Sequence, residues 1–222
     1  MKTTEELSKS LVRIHLLITR GIETAQSEID EIREKGYTKP KTKEGFLKFL
    51  QSLTTVFHAH HLTEDEVVFP FFEQRKLDAP FDEWRMEHIK ISSAVKYVSQ
   101  LISDIENKNV PEEELLTKGH DLLNQLKDLW YPHFQSEEYY FQPSTIDLVT
   151  TREEIINIGI DIGKHSKELS QPGTVIIPFM LYNLELEDRK IFSKEFPWII
   201  NFIMVPGLWK SQWRSMEPYL LP

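Results

Sequence analysis

Apolar residues recur at three- and four-residue spacing through four long stretches of the chain, the pattern of helices that each bury one face. The first predicted helix runs from about Thr4 to Lys35. It stops at Gly36, ahead of the polar segment YTKPKTKEG, where Pro40 forbids continuation. The second spans about Lys43 to Arg75. Asp78-Ala79-Pro80 forms a short loop, and a third helix runs from Pro80 or Phe81 to about Lys108, with Asp82 and Glu83 in its first turn. Asn109-Val110-Pro111-Glu112-Glu113 repeats that proline-and-acid start and opens a fourth helix, which lasts to about Phe141 and is ended by Pro143. Long helices joined by short connections pack antiparallel, so residues 4–141 are expected to form an all-α, up-down-up-down four-helix bundle.

The remaining third of the chain has a different texture. Thr150 with Glu153, or Thr151 with Glu154, makes a capping box for a fifth helix that ends before Gln171-Pro172-Gly173. From there to Pro222 the chain carries Phe179, Tyr182, Phe192, Phe196, Trp198, Phe202, Trp209, Trp213 and Tyr219. So many rings are expected to bury, with short helices wrapping them against the bundle. The sharper alternative makes this arm the wall of a substrate pocket or a homo-oligomer interface. The expected division is therefore a bundle at 1–142 and an aromatic-rich helical extension at 143–222.

Composition narrows the function. At 40% hydrophobic and 27% charged residues with only 8 Gly, the chain has the make-up of a soluble helical protein. A net charge of −9 without any run of Lys and Arg argues against nucleic acid as a partner. No apolar stretch follows Met1, and the longest apolar segment, Phe196 to Trp209, is interrupted by Pro197, Asn201, Pro206 and Gly207. Neither a signal peptide nor a membrane span is expected, and a cytoplasmic location is. The lack of cysteine excludes disulfides, thiolate zinc sites and iron–sulfur clusters, so any metal must take nitrogen and oxygen ligands.

The chemistry lies in the 8 histidines. Residues four apart on a helix are neighbours, and a carboxylate stands at that spacing after His60 (Glu64), His61 (Asp65) and His133 (Glu137). Taking roughly 100° per residue, His60 and Glu64 fall within about 40° of the apolar face marked by Phe46, Phe49, Leu53 and Phe57. His61 lies about 75° off that face and His58 more than about 120° off. His133 and Glu137 sit on the face of Leu115, Leu126 and Trp130, His15 on the flank of Ile18 and Ile22, and His88 on the stripe of Trp84, Ile91 and Val95. A lone inward histidine is usually a hydrogen-bonded core residue. Four of them with two carboxylates would each cost several kcal/mol on burial, against a total stability of about 5–15 kcal/mol. A cation is expected among them.

In this pattern the chain resembles the hemerythrin-like HHE cation-binding domains over roughly residues 4–141. The most specific piece is HAHHLTEDEVVFP at 58–70. The family's ligand order falls on His15, His60 with Glu64, His88, and His133 with Glu137. The resemblance implies a two-iron site completed by oxo, hydroxo or water ligands, although imidazole and carboxylate sites also accept manganese or zinc. Dioxygen or peroxide would be its partner. The Glu-x-x-His pairs of ferritin-like bundles and the His-Glu-x-x-His of helical zinc proteases are both absent. Unlike the oxygen carriers, which resemble this pattern, the chain has Trp84 and Ser92 rather than a second histidine beside His88, and Glu rather than a later Asp after His133. His61 is expected either to add a ligand, as in some iron-sensing members, or more readily to stand behind the ligands with Asp65 as its partner and Glu66 exposed. Trp84 and Trp130, one turn before ligands, read as core filler. Two functions are consistent with this pattern. One is a di-iron oxidoreductase that activates dioxygen against a small organic substrate under the arm. The other is an iron or dioxygen binding, storage or sensing protein without turnover.

Overall fold

A computed structural model describes residues 3–107 and 111–222, so the expected helix end at Lys108 and the Asn109-Val110 turn lie outside the described residues. Helix α1 (Thr4–Lys35) begins with a capping box between Thr3 and Glu6 and ends at Gly36, whose φ of 69° glycine adopts without the penalty of a Cβ. Helix α2 (Lys43–Thr63) continues through a π-helical turn, Glu64–Val68, into α3 (Phe69–Gln74). Helices α4 (Phe81–Asn107) and α5 (Glu112–Tyr140) follow. Both α1 and α4 pack on α2 and on α5, which closes a ring of four.

Side-chain pairs fix the directions. Along α1 and α5, His15 meets Glu138, Thr19 meets Trp130 and Gln26 meets Asn124, so numbers rise on one helix as they fall on the other. Asp65 with His88 and Gln51 with Glu106 give the same reversal for α2 and α4. His15 against His60 and Gly21 against Leu53 give it for α1 and α2, and Trp84 with Ser136 and Leu101 with Gly119 for α4 and α5. The bundle is up-down-up-down.

One difference from the sequence expectation lies in the second helix, which does not run as a regular α-helix to Arg75. Pro70 has no N–H to donate, and its ring would collide with the carbonyl of Glu66, four residues back. The chain responds by widening into the π turn just upstream, where the Phe69 N–H reaches back to the Glu64 carbonyl. Helical continuity survives, and the turn falls beside the histidine cluster.

After α6 (Pro143–Ile146), the Thr151–Glu154 capping box opens α7 (Arg152–Leu169), which packs against α1, α2 and the π turn. Then come α8 (Gly173–Tyr182), α9 (Leu186–Phe192), a π-helical segment (Ile200–Leu208), α10 (Lys210–Trp213) and a 3-10 turn (Arg214–Tyr219). The last of these lies so close along α2 that a Cβ on Gly45 would stand 1.9 Å from the Ser215 carbonyl oxygen. Phe179, Trp213, Met216 and Tyr219 share one core with Phe46, Phe49 and Leu53 of the bundle, so the extension completes the bundle's own core. Burial of the nine rings is nevertheless incomplete. Phe179, Trp213 and Tyr219 are buried, Tyr182, Phe192, Phe196 and Trp209 half-buried, and Trp198 and Phe202 stand 66% and 75% exposed. The exposed pair sits on or beside the π-helical segment, which packs chiefly on α8 and α10 and so forms an outer layer with only Val205 fully inside. No helix among the described residues is long and apolar enough to cross a membrane.

Candidate metal centre

All four bundle helices deliver side chains to one buried point: His15 from α1, His60 and His61 from α2, Glu64 from the π turn, His88 from α4, and His133 and Glu137 from α5. They divide into two sets, His61, His88 and His133 in one, and His15, His60, Glu64 and Glu137 in the other. Within each set the donor atoms lie within 4.8 Å of one another. The carboxylates stand between the sets. Glu137 Oε1 is 3.4 Å from His133 Nε2 and 3.7 Å from His88 Nε2, while its Oε2 is 3.3 Å from His15 Nε2. Glu64 Oε2 is 3.4 Å from His60 Nε2 and 3.7 Å from His88 Nε2. All six sequence-predicted site residues are therefore brought together.

His61 joins them, against the expectation that it would stand behind the ligands. It is 3% exposed and stacks on His88 with ring centroids 4.0 Å apart. Asp65 does not partner it. Instead Asp65 Oδ1 accepts from His88 Nδ1 at 2.9 Å, while Glu66 is exposed as expected and pairs with His165, which also meets Thr63. The reason is tertiary. Because α2 is embraced by α1, α4, α7 and α8, its buried arc is far wider than the apolar stripe marks, and His61 lies inside it. An available signal was the pairing of a missing histidine on α4 with a spare one next to His60. His58 is exposed and His120 faces Asp30 at 3.0 Å, both away from the cluster.

The outer edges of three imidazoles are held by carboxylates: His15 Nδ1 by Glu138 at 2.9 Å, His88 Nδ1 by Asp65, and His133 Nδ1 by Glu87 at 2.8 Å. A carboxylate only accepts, so each Nδ1 carries a proton, which leaves Nε2 as the nitrogen that can turn a lone pair inward once the ring is neutral. His88 Nε2 and His133 Nε2 then face one another at 3.0 Å. Nearby, the buried Nε2 atoms of His15, His60 and His61 and all carboxylate oxygens of Glu64 and Glu137 lack hydrogen-bond partners. Buried polar atoms left unpaired cost about 1–3 kcal/mol each. A cation converts the same convergence of lone pairs into coordination, so the donor set fits a metal.

Electrostatics within the cluster are uneven. Burial, reinforced by the neighbouring Glu137 charge, pushes the Glu64 carboxyl well above its ordinary range. Burial acts on Glu137 in the same sense, but His133, His15 and His88 outweigh it and hold Glu137 well below that range. Burial, with repulsion from nearby imidazoles, holds His60 and His61 well below the usual histidine value, and burial lowers His133. For His15 and His88 burial is outweighed by Glu137 with Glu138, and by Asp65 with Glu137, and both are raised. The other rings touching these histidines, Phe57, Phe69, Trp130 and Phe134, come from the bundle. Trp130 alone meets His15, His60, His61 and His133, and its indole N–H is taken by Thr19. Trp84 packs among Phe69, Phe81 and Phe141 as core, with its N–H on Ser136.

A family model described as the hemerythrin HHE cation binding domain matches residues 7–144. No curated protein and no solved structure matches the chain.

Proposed function

The chain belongs to the hemerythrin HHE cation-binding family, and from that premise we propose that the cluster is a two-iron centre for reversible binding of dioxygen or peroxide. The observation that carries this reading is the split of seven buried donors into a three-histidine set and a two-histidine set with both carboxylates between them. We assign His61 as a ligand with His15, His60, Glu64, His88, His133 and Glu137. Five imidazoles and two carboxylates offering both oxygens would supply about nine of the roughly twelve positions that two octahedral ions want, which would leave room for water, hydroxide or a diatomic ligand. Iron there supplies the electrons and exchangeable positions that dioxygen binding requires. The chain's own residues do the rest. Glu64 and Glu137 hold the two sets at a fixed separation, the Nδ1 acceptors lock the imidazoles, and Trp130, Phe57, Phe69 and Phe134 keep bulk water from the donors.

Substrate oxidation under the aromatic arm has less support, because the rings packed on the donor histidines belong to the bundle and the final turns of the arm lie along α2 near Gly45 and Ser52. The test is anaerobic loading with ferrous iron followed by alternating oxygen and argon. About two irons per chain and a spectrum that cycles with the gas are expected. Fewer than one iron per chain, or oxidation that argon never reverses, would refute the reading.

A further inference from the structure

We propose that Asp65, Glu87 and Glu138 are positioning residues that tighten metal binding and lower the reduction potential of the centre; this rests on the two-metal reading above. The three sit in unrelated places: Asp65 on the π turn, Glu87 just before His88 on α4, and Glu138 just after Glu137 on α5. Each reaches one Nδ1 at 2.8–2.9 Å, and each contacts a different histidine. Notably Glu87 does not serve its chain neighbour His88 but crosses to His133 on α5, while His88 takes Asp65 from the π turn. The brackets therefore tie α4 to α5, the π turn to α4, and α1 to α5.

Two consequences follow from elementary chemistry. An Nδ1–H held by an anion cannot rotate or exchange tautomers, so Nε2 is presented to the metal without reorganisation. Partial proton transfer toward the carboxylate also makes the imidazole a stronger donor, and the added negative charge favours the higher oxidation state of a bound ion. The distribution is uneven. His88 and His133 in the three-histidine set are both bracketed, whereas only His15 is bracketed in the other set, where the Nε2 of His60 lacks a hydrogen-bond partner. The three-histidine ion is expected to be the more easily oxidised of the two on this ground. All three carboxylates are 29–40% exposed, so their amide isosteres need bury nothing new.

The test uses the full-length chain loaded with ferrous iron, comparing wild type with Asp65→Asn, Glu87→Gln and Glu138→Gln, and with Glu66→Gln and Glu83→Gln as exposed controls. Competition with a chelator should show a loss of about 10–100-fold in affinity for each of the three and none for the controls. Redox titration should place the variants at more positive midpoints, with Glu138→Asp returning part of the shift because it restores the charge. The midpoint is read only on bound iron, so a partly folded variant still reports. A wild type without metal overturns both readings. A wild type with two irons whose variants keep its affinity and midpoint overturns this one alone.

Discussion

Glu64 and Glu137 share one buried cluster yet hold protons with opposite tendencies, because Glu137 faces His133, His15 and His88 while Glu64 answers chiefly to burial and to the charge of Glu137. In the metal-free chain the raised groups are Glu64, His15 and His88. A metal needs each of them deprotonated, so binding displaces protons and affinity rises with pH until these groups have titrated. Metal retention should accordingly weaken as pH falls through their raised values, and loading with ferrous iron near neutral pH in dilute buffer should acidify the solution. Loading without proton release would contradict the assigned directions. The same residue-level reasoning separates the histidines. Alanine at His60, His61 or His133 should each lower the metal content of the chain, whereas His58→Ala and His120→Ala should leave it unchanged. Metal analysis decides it, and full retention in His61→Ala would return that residue to a supporting role.

At the scale of elements, the second helix does the most. Along its length it meets α1, α4, α7, α8 and the final 3-10 turn, and it supplies His60, His61, Glu64 and Asp65 around a π turn. At Gly45 the contact with the 3-10 turn leaves no room for a side chain, since a Cβ there would strike the Ser215 carbonyl. Gly45→Ala should therefore lower stability by about 1–3 kcal/mol, the usual cost of overpacking, seen as a drop in Tm. It should leave metal content unchanged, because the donors of α2 lie more than three turns further on. A variant as stable as the parent would mean that the 3-10 turn is free to move off α2. Much of this level was legible in sequence: helix ends at Gly36 and Pro143, and the Thr151–Glu154 capping box. The π turn was not, since Pro70 announces a local break but not how the chain absorbs it.

For the whole molecule, the family match ends at residue 144 while the core does not. Removing 172–222 strips Phe179, Trp213, Met216 and Tyr219 from Phe46, Phe49 and Leu53. At about 25 cal/mol per Å² and roughly 150–250 Å² per buried ring, that is several kcal/mol per aromatic before ordering costs. The truncated chain should melt lower and aggregate, and equal stability would show the arm to be dispensable. The outer layer behaves differently. Trp198→Ser with Phe202→Ser should change Tm little, within about 0.5 kcal/mol per site, because these rings are 66% and 75% exposed and add little to the core.

The sequence by itself determined the four helices, their antiparallel order and six of the seven converging donors, since helical period and the burial cost of ionisable groups are local in origin. Phase marked His15, His60, Glu64, His88, His133 and Glu137 as facing inward, and the family resemblance joined them into one set. Tertiary structure decided the rest. His61 depends on how many neighbours enclose α2, the brackets at Asp65, Glu87 and Glu138 on which helix stands opposite which, and the fate of Trp198 and Phe202 on whether the extension lies in the first layer or the second. Each of these is a relation between distant segments, and a periodicity measured along one segment carries no information about the surface that will face it.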